Sequence, residues 1–308
     1  MTAKKTAPSK NRPAARTPTL AGRLLSPAGR AVMAGALLAV FAGGWHQAWQ
    51  VVGPRVLVSD AYTVTPDRVQ ITPPPAWVHS DVRAEALRNA AMDGSYSILD
   101  DDLAPRLHAA LALHPWVAAV GQVRKYYPAR VVVELTYRRP VCMVAVTGGL
   151  LPVDGEGVLL PSGDFTPVEA RRYPRLVGVE TAPVGPAGTC WGDPRVVGAA
   201  QIAAALGPDW QSLGLDRIVA SPLVEMQSGG EHTYDLFTRG GTRVVWGRSP
   251  KTDMPGEPPA ADKVARLKKY YREHGTLEGA TGPQQLDVRR EDLLYSGPQT
   301  AAKPHTNR

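Results

Sequence analysis

The chain has 308 residues, with 35 Lys and Arg against 28 Asp and Glu and a formal net charge of +7. The excess lies in residues 1 to 30, where Lys4, Lys5, Lys10, Arg12, Arg16, Arg23 and Arg30 occur without a single acidic residue. A basic tail on an electrically balanced body argues against a folded nucleic-acid-binding surface, and two cysteines without a CxxC or Cys/His spacing argue against a disulfide framework or a zinc knot.

Residues 1–30, rich in Pro, Ala and Thr, read as a disordered tail. Ala31 to Trp45 follows without a charge or a strongly polar group. At 1.5 Å per residue that run spans only ~22 Å, but continued through Val52 it reaches ~33 Å, enough for a bilayer core of ~30 Å. His46, Gln47 and Gln50 then lie near the outer interface beside Trp45 and Trp49, where amphipathic rings are favoured. Residues 31–52 are therefore expected to form a transmembrane helix. Lys and Arg on its short side keep the amino terminus in the cytoplasm and the carboxyl body outside. A cleaved signal peptide is the alternative, with Ala42-x-Gly44 as a small-x-small site.

Tyr62 to Ile71 alternates Val64, Val69 and Ile71 and is broken by Pro66. Asp81 to Ala91 places Val82, Ala86, Leu87 and Ala90 on one helical face, with Ser80 or Asp81 free to cap the first turn. Asp102 to Leu113 spaces Leu103, Leu107, Ala110 and Leu111 for a second helix, tolerates Pro105 in its first turn, and stops before Pro115. Asp100, Asp101 and Asp102 fit helix capping and the helix dipole better than a cation site. Val117 to Tyr126 and Arg130 to Arg138 then read as a hairpin turning at Tyr127-Pro128. In its second strand, Val131, Val133, Leu135 and Tyr137 share one face. The order is strand, helix, helix, strand, strand.

Beyond Pro140 a coarse β pattern continues with two helices. Asp193 and Pro194 open one, with Val196, Ala199, Ala203 and Leu206 on its face and Gly207 closing it. Leu213 to Val219 and Thr233 to Phe237 read as strands, the latter turning at Arg239-Gly240-Gly241 into Thr242 to Trp246. Ser249 to Ala260 is a Pro-rich loop. Ala261 to His274 resumes helix, with Val264, Leu267 and Tyr271 inward and Lys263, Arg266, Lys269 and Arg272 outward. Gln285 to Tyr295 reads as a final strand and 296–308 as a solvated tail. Cys142 and Cys190 fit buried small residues, with a bridge between them left open.

The chemistry-bearing residues do not converge. Seven histidines show no zincin spacing, and no GxSxG elbow, GxGxxG turn or phosphate loop occurs. No catalytic residue, metal site or cofactor is expected.

Several passages resemble a known family in their order. They are Pro115-Trp116-Val117, Tyr127-Pro128, Arg138-Arg139-Pro140-Val141, the Asp-x-x-Gly stretch from Val153 to Leu159, and Pro174-Arg175-Leu176-Val177-Gly178. Gly241 to Gly247, Lys263 to Leu267, and Leu286-Asp287-Val288-Arg289 complete the set. Together they resemble the FtsQ/DivIB family of bacterial cell-division proteins, and the strand–helix–helix–strand–strand order resembles a POTRA domain. Tyr137 and Arg290 depart from that family, which usually has an acidic residue at the first position and an aromatic at the second.

The resemblance implies an α+β ectodomain made of a POTRA domain at 60–139 and a mixed β domain with flanking helices at 140–295. It also implies a non-catalytic divisome scaffold in the inner membrane at the septum, linked to septal peptidoglycan synthesis. The expected partners are FtsB-like and FtsL-like bitopic proteins, bound by β-augmentation on the last strand. Carried over by position, the contact residues are Arg289, Arg290, Glu291, Asp292, Leu293 and Leu294, with Arg289 able to meet a partner carboxylate. The other class considered is a POTRA-containing transport or secretion component acting on unfolded β substrates.

Overall fold

The computed structural model describes residues 27–57, 59–221, 231–252 and 255–291. The expected tail at 296–308 and the first 26 residues of the basic head lie outside them. The chain divides into two compact units, Met1–Tyr62 and Thr63–Arg308.

The first unit is described by one helix, α1 (Pro27–Leu57), within which Arg30–Gly53 is long and apolar enough to cross a membrane. Leu37, Phe41, Trp45 and Trp49 are all exposed along it.

The second unit begins with β1 (Thr63–Val64), a 3-10 turn at Pro66–Arg68 and β2 (Val69–Ile71). Pro66 cannot donate to a ladder, and the strand expected over 62–71 is accordingly split there. Helix α2 (Val82–Asn89) is capped by Asp81, whose carboxylate accepts from the Ala84 amide. Strand β3 (Tyr96–Ser97) pairs with β1 in a two-stranded ribbon. Helix α3 (Leu103–Ala112) buries Leu103, Leu107, Ala110 and Leu111, as their spacing requires. Strands β4 (Val117–Tyr126) and β5 (Arg130–Tyr137) form the hairpin, with β2 added parallel to β5, giving the order β2-β5-β4. Val131, Val133 and Leu135 are buried on one face of β5.

A seven-stranded sheet follows. Its members are β6 (Pro140–Val146), β7 (Gly149–Asp154), β8 (Arg175–Val177), β9 (Leu215–Ala220), β10 (Tyr234–Thr238), β11 (Arg243–Gly247) and β12 (Gln285–Asp287). Their order is β12-β11-β10-β9-β8-β6-β7, with β6/β8, β8/β9 and β11/β12 parallel. Between them lie α4 (Pro167–Ala170), α5 (Pro194–Leu206), α6 (Asp209–Ser212) and α7 (Ala260–His274). One core joins the helices to the sheet. Val196, Ala199 and Leu206 of α5 and Leu267 of α7 cluster with Cys142, Leu176, Ile218, Leu236, Val244, Trp246 and Leu286.

The Asp-x-x-Gly passage closes a tight loop after β7. Asp154 Oδ1 accepts the amides of Glu156 and Val158, both at 2.9 Å, while Oδ2 meets Arg138 Nη1 at 2.7 Å.

Four expectations are corrected. The strand expected from Leu213 starts at Leu215, because α6 and the positive φ of Gly214 (70°) occupy the preceding residues. Lys263 is buried rather than outward: its ammonium donates to the Trp246 carbonyl at 2.9 Å and to Glu257 at 2.6 Å, a carboxylate brought over α7 by the Pro-rich loop. Tyr270, not Tyr271, takes the deeper position on the helix. Cys190 is exposed and Cys142 buried, and both thiols are free. Successive side chains of extended backbone face opposite ways, and at 190–191 the fully buried Trp191 takes the inward side. Burial pushes the Cys142 thiol up to about 12.

Candidate functional site

Strand β12 ends the sheet, with β11 as its sheet neighbour. The register pairs Arg243 with Gln285, Val244 with Leu286 and Val245 with Asp287. The Arg243 amide donates to the Gln284 carbonyl at 2.9 Å, and the Val288 amide donates to the Val245 carbonyl at 3.3 Å. Backbone direction alternates along a strand, so the even positions 284, 286 and 288 face β11 while Gln285 and Asp287 direct N–H and C=O away from it. Leu286 and Val288 are fully buried, which anchors the strand by its side chains.

The strand is shorter than expected. Residues 288–291 leave the sheet in a turn and bend. Asp287 Oδ1 accepts the Arg289 amide at 3.0 Å, and its two oxygens take Arg289 Nε and Nη2 at 3.0 and 2.8 Å. This Asp-x-Arg clasp folds the backbone back on itself. The same clasp occurs at Asp193-Pro194-Arg195, where the Arg195 amide reaches Asp193 Oδ1 at 2.8 Å. Burial works against the charge on Asp287, but the Arg289 bonds outweigh it and hold the carboxyl below its usual range.

Helix α7 supplies a second constraint. Arg266 Nη1 donates to the Val288 carbonyl at 2.9 Å and to the Arg290 carbonyl at 2.7 Å. Beside the strand lies a hollow of about 390 Å³ whose walls include Asp235, Arg243, Gln285 and Arg289. Arg243 and Asp235 form an ion pair across it at 2.7 Å.

Of the residues expected to contact a partner, Arg289 is half-buried in its clasp with Asp287, and Arg290 and Glu291 are exposed in the segment that follows. Asp292, Leu293 and Leu294 lie outside the described residues. Arg266 and Asp287 were not among the expected site residues. The Asp-x-Arg spacing is a sequence signal for the second; an arginine on an amphipathic helix carries none for the first. Among the described residues no three His, Cys, Asp or Glu side chains are grouped as a metal ion would require.

Among the described residues the geometry defines a mixed α+β protein with one candidate membrane-crossing helix and with β12 as the end strand of its seven-stranded sheet. Comparison with known proteins adds two partial similarities. The chain is 30% identical over 142 residues to "Cell division protein FtsQ" of Anaeromyxobacter sp. (strain K), covering 46% of this chain and 44% of that one. It is 36% identical over 98 residues to "Cell division protein FtsQ" of Myxococcus fulvus (strain ATCC BAA-855 / HW-1), covering 32% and 33%. No family model matches the chain. The chain spans less than half the length of these curated relatives. Both similarities are to proteins named for cell division and extend over less than half of each chain.

Proposed function

We propose that this chain is a non-catalytic, single-pass division scaffold in the inner membrane, with a cytoplasmic amino terminus and a carboxyl body outside. In this reading residues 60–139 act as a POTRA-type domain and residues 140–295 as the partner-binding β domain. The outer edge of β12 pairs with a strand of an FtsB-like bitopic protein bound together with an FtsL-like one, and residues 289–294 flank the added strand. The complex is thereby coupled to septal peptidoglycan synthesis. The observation that carries the reading is the outward direction of the Gln285 and Asp287 backbone groups at the end of a sheet whose other strands bury a shared core. Unpaired edge groups completed by a second chain give affinity through main-chain hydrogen bonds, while neighbouring side chains select the partner.

The test is Gln285→Pro in the full chain. Proline removes an N–H that points away from β11, a position where edge strands tolerate it. The protein should keep its fold by circular dichroism and lose capture of the FtsB-like ectodomain. Capture at the wild-type level would place the interface elsewhere.

A further inference from the structure

We infer that Arg266 is the positioning residue of the docking edge: from helix α7 it takes over the ladder where the pairing of β11 with β12 ends and holds residues 288–290 in place for the partner strand. The inference rests on the docking reading above and adds to it the residue that sets the carboxyl-terminal limit of the edge.

The ladder between β11 and β12 is parallel, and its last bond runs from the Val288 amide to the Val245 carbonyl. Continued by one step, the Val288 carbonyl would accept from the amide of Gly247. Gly247 instead has φ of +88°, a conformation open to glycine. Its neighbour Arg248 is drawn aside, with its amide donating to Glu257 Oε2 at 3.0 Å and Nη2 to the Pro255 carbonyl at 2.9 Å. Across a register shift Gly247 pairs with Tyr234 of β10, so β11 stays in the sheet while its pairing with β12 ends at Val245, just where β12 still needs a donor. Arg266 Nη1 supplies it at the Val288 carbonyl, 2.9 Å away, and also takes the next carbonyl of the same parity, Arg290, at 2.7 Å. One nitrogen thus satisfies two acceptors on the side facing the protein.

Three features suit Arg266 to this role. It sits one residue before Leu267, which is fully buried, so its backbone is fixed by the core. Its side chain is half-buried and reaches out from the helix. A guanidinium presents several donors in a rigid plane and stays charged, whereas an ammonium is a single flexible point. On the opposite side of the strand the Asp287–Arg289 clasp sets the turn. With both in place, the outward groups of Gln285 and Asp287 are presented in a fixed register, so an incoming strand need not order them on binding.

The experiment uses the full chain in lipid nanodiscs, as wild type, Arg266→Ala and Arg266→Lys. It reads hydrogen exchange of the 285–291 segment and capture of an FtsB-like ectodomain. Arg266→Ala should speed exchange of the Val288 amide at least tenfold, leave the α7 amides unchanged, and weaken capture at least tenfold through a faster off-rate. Arg266→Lys should lie between the two. Wild-type exchange and capture in Arg266→Ala would overturn the inference, as would faster exchange with unchanged capture. If the wild-type chain captures nothing while Arg266→Ala still exchanges faster, the docking reading falls and the holding role of Arg266 stands.

Discussion

The Trp116 indole N–H donates to Asp164 Oδ2 at 2.7 Å, tying the turn before β4 to the 3-10 turn that follows β7. The same oxygen also accepts from the His79 and Ser80 amides and the Ser80 hydroxyl, at 3.3, 3.4 and 3.2 Å. Trp116 is fully buried, and its ring lies 6.1 Å from Phe165. One carboxylate thus holds the helix–hairpin half against the seven-stranded half. Hydrogen bonds to a charged group contribute about 1.5–3 kcal/mol each, and a buried donor left without its acceptor costs a similar amount. Asp164→Ala should therefore lower unfolding free energy by about 3 kcal/mol in urea titration. Trp116→Phe, which removes the donor and leaves a smaller aromatic ring at this buried site, should also destabilise, through the lost bond and the lost packing. Equal stability of Asp164→Ala and wild type would show that the joint depends on the apolar contact alone.

Gly157 closes the loop that Asp154 organises. Its φ is +75°, and a Cβ there would stand 2.9 Å from Val197 Cγ2 and 3.2 Å from Val197 Cα on helix α5. The side chain could swing, but the helix backbone is packed in the core. Positive φ in a residue with a Cβ costs about 1 kcal/mol or more, and the displaced contact adds to it. Gly157→Ala should lower the urea midpoint by an amount equivalent to about 2 kcal/mol or more. Gly163→Ala, where nothing lies within 4 Å of the added atom, should be near neutral in the same assay.

How much of this was legible in the sequence depends on which physical signal each element carries. Helix α3 and strand β5 were readable, because Leu103, Leu107 and Leu111 follow the helical period and Val131, Val133 and Leu135 the strand period, each set facing one core. Lys263 was not, because periodicity sorts residues by polarity and cannot foresee a carboxylate arriving from a distant loop. The β1–β3 ribbon is two residues long on each side, too short for any period. At the candidate site the edge strand was legible from Leu286 and Val288. Its early end at Asp287 was not, since it arises from a side-chain clasp and from a helix arginine that approaches only in three dimensions.

Asp193 gives the stability a pH signature. Burial alone would raise its pKa, but bonds from Arg195 and Thr181 overcome that and bring it from the ordinary 3.8 to about 2. The folded pKa lies below the unfolded one, so the stabilisation is full above pH 4 and is lost as pH falls through 2. At 1.36 kcal/mol per pKa unit this is roughly 2 kcal/mol. Asp287 and Glu257 are shifted in the same direction and add to the slope. Chemical denaturation at pH 6 and pH 3 should show a smaller pH difference for Asp193→Asn than for wild type. An identical difference would assign the acid sensitivity to other carboxylates.

The pair Lys263–Glu257 makes the strongest single-site demand on the fold. The ammonium is buried, 2.6 Å from the carboxylate and 5.2 Å from the Trp246 ring centroid. Burial lowers the Lys263 pKa, and Glu257 counteracts part of that shift. Burial likewise works against charge on Glu257, yet Lys263 and Arg248 hold its carboxyl below the usual range. Removing one partner of a buried pair strands the other charge and costs about 3–5 kcal/mol, whereas replacing both by neutral groups of similar volume is far milder. Lys263→Met should thus destabilise by about 3 kcal/mol, and Lys263→Met combined with Glu257→Gln should recover at least half of the loss. Thermal melts of Lys263→Met, Glu257→Gln and the double variant against wild type measure the coupling. A double variant as unstable as the sum of its single changes would mean that the two side chains act independently, and that the loop over α7 is held by Arg248 and the Pro255 carbonyl instead.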